Sequence, residues 1–205
     1  MRTVNVFFAG VGGQGIITGG SIIARAAVDD GVNAIMSEVH GMAQRGGSVV
    51  CELRLGNVRS PLIPQGEADV LIAFEPVEAV RNLPRVNRKS VVVTEIRPIV
   101  PVSVSLGGLM YPAVDDLVAF MRGQVAAVHA VGASAAAEEI GLPQAANMVL
   151  LGAAMGTGLI PVRREALIAT IRRTVPEKTL ERNLQAFEMG LLLTGGSETS
   201  QSISV

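Results

Sequence analysis

The sequence predicts an α/β fold in which a doubly wound, Rossmann-like and mostly parallel sheet is flanked by helices, with extra helices near the C-terminus. The first observation is an apolar segment beginning at Val4 that runs into closely spaced glycines, from Gly10 to Gly15, and then into a segment with almost no charge. This order is typical of a strand, a tight turn and a helix that lies on the sheet. The second observation is that further apolar runs are separated by helical patterns, and the third is that the chain beyond Gly132 carries helical patterns alone.

Five further segments are predicted to be strands. In residues 49–55, Glu52 and Arg54 alternate with apolar residues, which predicts an antiparallel edge strand with one solvated or partner-facing side. The uninterrupted apolar run at 69–74 predicts a fully buried central strand. The predicted strands cover residues 32–36, 49–55, 69–74, 90–95 and 124–131, and a short additional one is placed at 102–104.

The helices are predicted from their start and stop signals. Acidic residues and Gly31 end the first helix, and Pro76 occupies a position that the first turn of a helix tolerates. Asn147 is interpreted as the N-cap of a helix that is apolar nearly all round, which we expect to be buried against this chain or another one. The predicted helices cover residues 16–27, 76–83, 115–121, 133–140, 147–157, 163–174 and 176–193.

Length and composition bound the domain organisation and the class of function. The 205 residues predict a single domain over 1–194, followed by a small polar tail, 195–205, that we expect to be disordered. The chain has 17 basic and 18 acidic side chains, which favours neither nucleic acid nor a membrane surface as a partner, and it has no apolar run of membrane-spanning length. One cysteine and two histidines cannot hold an iron–sulfur cluster or a structural zinc ion. We therefore expect a cytoplasmic protein whose electron carriers, if the reaction is a redox one, lie on another chain.

The glycine turn is the first candidate binding site. Free N–H groups at a helix N-terminus point outward and the helix dipole favours an anion, so a phosphate would be stabilised there. Glycines at positions 10, 12 and 15 would also suit an NAD- or FAD-binding oxidoreductase, for which Glu38 is near the expected ribose-binding position. Close packing alone explains such a turn equally well, so the three alternatives stay open on the motif by itself.

The segment from Ser37 to Ser48 is predicted to be a polar loop at the end of a strand, where ligands bind in open α/β sheets. Arg45 is the candidate anion contact in it, because a guanidinium holds a phosphate with two parallel hydrogen bonds. His40 and Glu38 are near one another, but no third residue is placed to complete a nucleophilic triad, so no catalytic residue is assigned.

The two remaining reactive side chains are given structural roles. His129 is expected to be a histidine near the core, because it ends an apolar strand. Cys51 is expected to be a packed, unreactive thiol, because it lies on the apolar face of its strand.

Four motifs together resemble the gamma-type domain of 2-oxoacid:ferredoxin oxidoreductases. The His-Gly-Met-Ala-Gln-Arg-Gly-Gly form in the second motif most resembles the small (beta) subunit of the indolepyruvate ferredoxin oxidoreductases. The motifs lie at residues 10–15, 37–49, 60–64 and 68–76, and further similarity extends to 147–161 and 183–190.

The resemblance implies a subunit of a thiamine-dependent enzyme that oxidatively decarboxylates a 2-oxoacid, passes electrons to ferredoxin and transfers the acyl group to coenzyme A. It places thiamine diphosphate, magnesium and the iron–sulfur clusters on a large partner subunit, and it implies indolepyruvate or another arylpyruvate, with phenylglyoxylate and aliphatic 2-oxoacids left open. This chain would help to bind coenzyme A, would be inactive alone, and would have no metal site; a purely structural subunit is the alternative. The implied contacts to coenzyme A or to the partner are Gly12, Gly13, Gln14, Gly15, Arg45, Gly46 and Gly47.

Overall fold

The computed structural model describes residues 2–40, 47–100 and 110–195, and within them the predicted α/β fold is confirmed. The strands are β1 (Val4–Val11), β2 (Ala34–His40), β3 (Ser48–Leu55), β4 (Ala68–Ala73), β5 (Val86–Glu95) and β6 (Ala127–Val131). The α-helices are α1 (Ile16–Asp29), α2 (Pro76–Arg81), α3 (Val114–Arg122), α4 (Ala133–Glu139), α5 (Ala146–Gly156), α6 (Arg164–Thr174) and α7 (Leu180–Gly195). The strand placed at 102–104 and the tail after Gly195 lie outside these residues.

The six strands form one sheet in the order β2-β3-β1-β4-β5-β6. β1, β4, β5 and β6 are parallel, whereas β3 is antiparallel to both of its neighbours, β1 and β2. The antiparallel direction predicted for β3 is therefore confirmed, but its predicted edge position is wrong, because β2 pairs along its outer side.

The solvated face predicted for β3 is also wrong. Glu52 is only 4% exposed, and its carboxylate accepts a hydrogen bond from the backbone N–H of Ile63. Arg54 donates to the side chain of Asn5 at 2.9 Å and to the carbonyl of Leu62 at 3.1 Å. The segment between β3 and β4 thus covers this face and satisfies its polar groups, so alternation of charge did not indicate exposure here.

Helices cover both faces of the sheet, as a doubly wound fold requires. Val6 and Phe8 of β1 point to a core shared with α1, α4, α5, α6 and α7. Phe7 and Ala9 point to the opposite core, which α2 and α3 complete. In the described residues no helix is long and apolar enough to cross a membrane.

The apolar helix α5 is buried by this chain itself. It crosses α7 at very short range: a Cβ atom on Gly152 would lie 1.9 Å from the carbonyl oxygen of Phe187, and one on Gly190 would lie 1.9 Å from that of Val149. Thr194 Oγ1 also donates to the carbonyl of Ala153 at 2.7 Å. Glycines at the crossing let the two backbones approach, and α7 covers the side of α5 that faces away from the sheet.

Candidate functional site

The site is built around the turn from β1 to α1, whose backbone requires glycine. Gly13 and Gly15 have φ angles of +104° and +77°, in the left-handed region that other residues rarely adopt. Gly10 is needed for a different reason, because a Cβ there would lie 2.8 Å from the Cβ of Phe74. The glycines of the turn therefore expose backbone at the carboxyl-terminal edge of the sheet.

Gln14 holds this turn against β4. Its Oε1 accepts a hydrogen bond from the N–H of Val11 at 2.7 Å, and its Nε2 donates to the carbonyl of Phe74 at 2.6 Å. Both ends of the amide are therefore used inside the chain. A direct contact of the Gln14 side chain with a ligand stays a prediction, whereas its part in shaping the turn follows from these bonds.

The N-terminus of α1 opens into the first of two clefts. Gly15 is the N-cap, no side chain of the described residues caps the helix, and its first turn contains no acidic residue. The first backbone N–H groups of a helix have no partner within the helix, so those of α1 require partners from outside it and suit an anion. The cleft has a volume of about 240 Å³ and is lined by Gly12, Gly13, Gly15, Ile16, Ile17, Thr18 and Val49.

A second cleft, of about 300 Å³, lies on the other side of the turn, between it and the segments that lead into α4 and α5. The described residues that line it are apolar apart from a few with uncharged polar side chains and Glu95, which carries a carboxylate. The residues that line it are Gly13, Gln14, Gly15, Phe74, Glu95, Ile99, Ser134, Pro143, Gln144, Ala146, Asn147 and Leu150.

Glu95 is only 3% exposed, and both oxygens of its carboxylate accept hydrogen bonds. One of its oxygens accepts from the backbone N–H groups of Ile96 and Arg97, at 2.8 and 2.9 Å. The other accepts from the N–H and hydroxyl of Ser134, at 2.7 and 2.6 Å. Sequence reasoning missed Glu95 and Ser134, although the position of Glu95 at the carboxyl end of a predicted strand was a usable signal.

Asn147 does not have the role predicted for it. The N-cap of α5 is Ala145, and Asn147 lies in the first helical turn, so the N-cap prediction is wrong. Its amide instead packs on the glycine turn: a Cβ on Gly15 would lie 2.5 Å from Asn147 Nδ2. Asn147 therefore lines the second cleft together with Gly13 and Gly15.

The structure brings part of the predicted Arg45 segment to the glycine turn. The N–H of Gly12 donates to the carbonyl of Gly47 at 2.9 Å, so β3 begins directly beside the turn. Arg45 and Gly46 lie outside the described residues. The loop prediction is wrong for residues 37–40, which belong to β2, and for Ser48, which begins β3; the pairing of these strands continues to His40 opposite Val49.

Glu38 is poorly placed for a dinucleotide. β3 lies between β1 and β2, so Glu38 is two strands away from β1, a lateral distance of about 10 Å. In a dinucleotide-binding fold the second strand is the direct neighbour of the first. The strand order therefore disfavours the reading in which Glu38 binds a ribose.

The buried position predicted for Cys51 is confirmed, and its lack of reactivity stays a prediction. Cys51 is fully buried, and burial, followed by the charges of Glu38 and Glu52, raises the pKa of its thiol to about 12. His129 is half-buried on β6, and this burial lowers the pKa of its imidazole below 6.5. Across the part of the chain that the structure describes, no group of three histidine, cysteine or acidic side chains is arranged to hold a metal ion.

Comparison with known proteins gives a consistent result. The family model for pyruvate ferredoxin/flavodoxin oxidoreductases matches residues 5–193. The chain is 43% identical to indolepyruvate oxidoreductase subunit IorB of Archaeoglobus fulgidus over 187 residues, which are 91% of this chain and 93% of the relative. It is 41% identical to IorB of Methanothermobacter thermautotrophicus over 186 residues, 91% of this chain and 95% of that one.

Two solved structures share the fold of this chain. The gamma subunit of a keto/oxoacid ferredoxin oxidoreductase from Geobacter sulfurreducens superposes with a TM-score of 0.68 at 26% identity, covering 93% of this chain and 98% of that chain. A 2-oxoglutarate:ferredoxin oxidoreductase from Magnetococcus marinus, solved with 2-oxoglutarate, coenzyme A and succinyl-CoA bound, has the same fold. Its TM-score is 0.73 at 24% identity, over 95% of this chain and 31% of that chain. The resemblance inferred from the four motifs is confirmed.

Proposed function

Because this chain belongs to the pyruvate ferredoxin/flavodoxin oxidoreductase family, we propose that it is the coenzyme A-binding small subunit of an indolepyruvate-type enzyme. Its place as a small subunit of a 2-oxoacid ferredoxin oxidoreductase rests on relatives of the same length. Indolepyruvate is proposed from the names of those relatives. In this proposal a large partner subunit carries thiamine diphosphate, magnesium and the iron–sulfur clusters, ferredoxin accepts the electrons, and the complex works in the cytoplasm.

The observation that carries coenzyme A binding is the uncapped N-terminus of α1 in the first cleft. The N–H groups of Ile16, Ile17 and Thr18 have no partner within the helix, and none of the residues that the structure describes lies within 4 Å of the position a Cβ would take on Gly13. A phosphate group can therefore approach the backbone closely, and the helix dipole favours its charge. Arg45, with Gly46 and Gly47 beside it, is the proposed side-chain contribution to the same charge.

The second cleft suits an uncharged part of the same ligand. Its polar side chains include the amides of Asn147 and Gln144, which can both donate and accept hydrogen bonds. None of the described residues that line it is basic, and the carboxylate of Glu95 would repel a phosphate. We infer that the amide-bearing pantetheine arm occupies this cleft, while the phosphates occupy the first. Held in this way, the thiol is oriented towards the partner subunit, and orientation supplies a large share of a rate enhancement.

The subunit role is tested by reconstitution. The purified chain is expected to have no activity and no colour, and the large subunit alone is expected to reduce an acceptor slowly. Mixing the two is expected to restore reduction that depends on indolepyruvate and coenzyme A. Full activity of the large subunit alone would show that this chain is not needed for the reaction.

The coenzyme A site is tested at Thr18, an exposed residue in the first turn of α1. Thr18→Glu places a negative charge where the phosphate is proposed to bind, and Thr18→Gln is its neutral control. We expect Thr18→Glu to raise the KM for coenzyme A at least ten-fold while the KM for indolepyruvate stays unchanged. Acidic residues in the first turn stabilise a helix, so the melting temperature of Thr18→Glu should not fall. Equal KM values for the two variants would refute the site.

Two alternative functions can each be distinguished from the proposed one by a single measurement. A free-standing NAD- or FAD-binding oxidoreductase, using the glycine turn and Glu38, requires tight binding of the dinucleotide to the isolated chain in a titration. A purely structural subunit requires that Arg45→Ala assembles normally and keeps the KM for coenzyme A. The proposal predicts no dinucleotide binding and a raised KM in Arg45→Ala.

A further inference from the structure

Two buried glutamates at the start of α2 lie near the glycine turn. Glu75 is the N-cap of this helix and Glu78 lies in its first turn; they are 2% and 3% exposed. The N–H of Glu78 donates to Glu75 Oε2 at 2.9 Å, which links the two residues directly. Burying two carboxylates is unfavourable unless each is well hydrogen-bonded, so their remaining partners are informative.

Glu78 binds the chain on one side of the glycine turn. Ser48 Oγ, at the start of β3, donates to Glu78 Oε2 at 2.6 Å. The residue before it, Gly47, accepts a hydrogen bond from Gly12 at 2.9 Å. Glu78 therefore fixes the segment that the turn itself contacts. Its other oxygen accepts from the guanidinium of Arg81, which is largely exposed.

Glu75 binds the chain on the other side of the turn. Its Oε1 accepts hydrogen bonds from the hydroxyl group of Tyr111 and from the backbone N–H of Ile99, the latter at 3.3 Å. Ile99 lines the second cleft. Burial and the neighbouring Glu75 carboxylate raise the pKa of Tyr111, so its hydroxyl stays protonated and donates.

The same short stretch is also bound to the glycine turn. Glu75 directly follows Phe74, whose carbonyl accepts from Gln14 and whose N–H donates to the carbonyl of Ala9 at 2.8 Å. Residues 74–78 thus contact the turn, the start of β3 and the segment after β5 through individual hydrogen bonds.

We propose that Glu75 and Glu78 are positioning residues for the coenzyme A site, holding Ser48 on one side of the glycine turn and Ile99 with Tyr111 on the other. The inference rests on the function proposed above. Neither carboxylate touches the ligand. Their effect is to fix the walls of the two clefts relative to the N-terminus of α1, and a small displacement of a binding group is sufficient to weaken a bound geometry.

The test removes single hydroxyl groups in the reconstituted complex. Ser48→Ala and Tyr111→Phe are each expected to raise the KM for coenzyme A about five-fold, with kcat at saturating coenzyme A changed less than two-fold. Ser48→Thr keeps the hydroxyl and is expected to behave as the wild type. Because Glu78 donates a hydrogen bond to Glu75, the two contacts belong to one network, and the effect of the double variant should differ from the product of the two single effects.

Glu52→Gln is the matched control. Glu52 is also buried and also accepts a backbone N–H, but it lies on β3 opposite Phe7, away from the glycine turn. It is expected to lower thermal stability without changing the KM for coenzyme A. If Glu52→Gln raised the KM for coenzyme A as much as Ser48→Ala does, Glu75 and Glu78 would have only a general structural role.

Thr18→Glu distinguishes failure of this inference from failure of the proposed function. If Thr18→Glu raises the KM for coenzyme A but Ser48→Ala and Tyr111→Phe do not, only the positioning role is overturned. If Thr18→Glu has no effect either, the coenzyme A site itself is wrong. Should Ser48→Ala fail to fold, the comparison of Tyr111→Phe with wild type still decides the question.

Discussion

Replacing Gly15 by alanine tests the contact between the glycine turn and Asn147. The backbone at Gly15 has a φ of +77°, which costs a residue with a Cβ about 1–2 kcal/mol. The new Cβ would also lie 2.5 Å from Asn147 Nδ2, so the Asn147 side chain must leave its position. Forcing a side chain off its rotamer costs about 1 kcal/mol. We therefore expect Gly15→Ala to lower the free energy of unfolding by about 2–3 kcal/mol.

The two contributions can be separated with matched variants. Gly31 has a nearly identical φ of +76°, and within the described ranges no atom lies within 4 Å of its Cβ position, so Gly31→Ala should cost about 1–2 kcal/mol. In an Asn147→Ala background, Gly15→Ala should cost no more than Gly31→Ala. The assay is guanidinium unfolding of the full chain, with the midpoint and slope compared for each variant. Equal costs for Gly15→Ala and Gly31→Ala in the wild-type background would refute the contact.

Three further predictions concern stability and reactivity. Gly190→Ala is expected to destabilise the chain by more than about 3 kcal/mol, because its Cβ would overlap the carbonyl of Val149. Gly195→Ala, whose Cβ position has no described residue within 4 Å, should have little effect in the same unfolding assay. The Cys51 thiol, buried and with a pKa of about 12, should not react with a thiol reagent at pH 8 until the chain unfolds, and rapid labelling of the native chain would contradict its burial. Because burial lowers the folded-state pKa of His129 below 6.5, protonation favours the unfolded state. Stability should therefore fall as the pH drops below about 6.5 towards the folded-state value, and His129→Gln should remove that part of the pH dependence.

The sequence predicted the elements well where local signals are strong. The apolar run at β4, the proline that begins α2 and the glycines between β1 and α1 all depend on short-range backbone and burial requirements. The position of β3 inside the sheet could not be predicted. The alternation of polar and apolar residues indicates which face of a strand is apolar, but it does not indicate which strands pair with that strand. Glu52 was wrongly predicted to be exposed, because a buried carboxylate that accepts a hydrogen bond from a distant segment has the same local sequence pattern as an exposed one.

The candidate site was predicted in part. The glycine turn was identified because the conformations of Gly13 and Gly15 restrict the choice of residue at those positions. The contact of Asn147 with Gly15, and those of Glu75 and Glu78 with the segments around the turn, join residues that are distant in sequence. No periodicity or spacing encodes such contacts, so a single sequence gives no basis for them.

The central claim, that the N-terminus of α1 binds the phosphates of coenzyme A, is tested most directly by combining Thr18→Glu with a shortened substrate. Pantetheine carries the same thiol arm without phosphate groups. In the reconstituted complex we expect Thr18→Glu, relative to Thr18→Gln, to raise the KM for coenzyme A at least ten-fold and to leave the KM for pantetheine unchanged, because the added charge repels only the phosphates. An equal effect on both thiols, or no effect on either, would contradict the account.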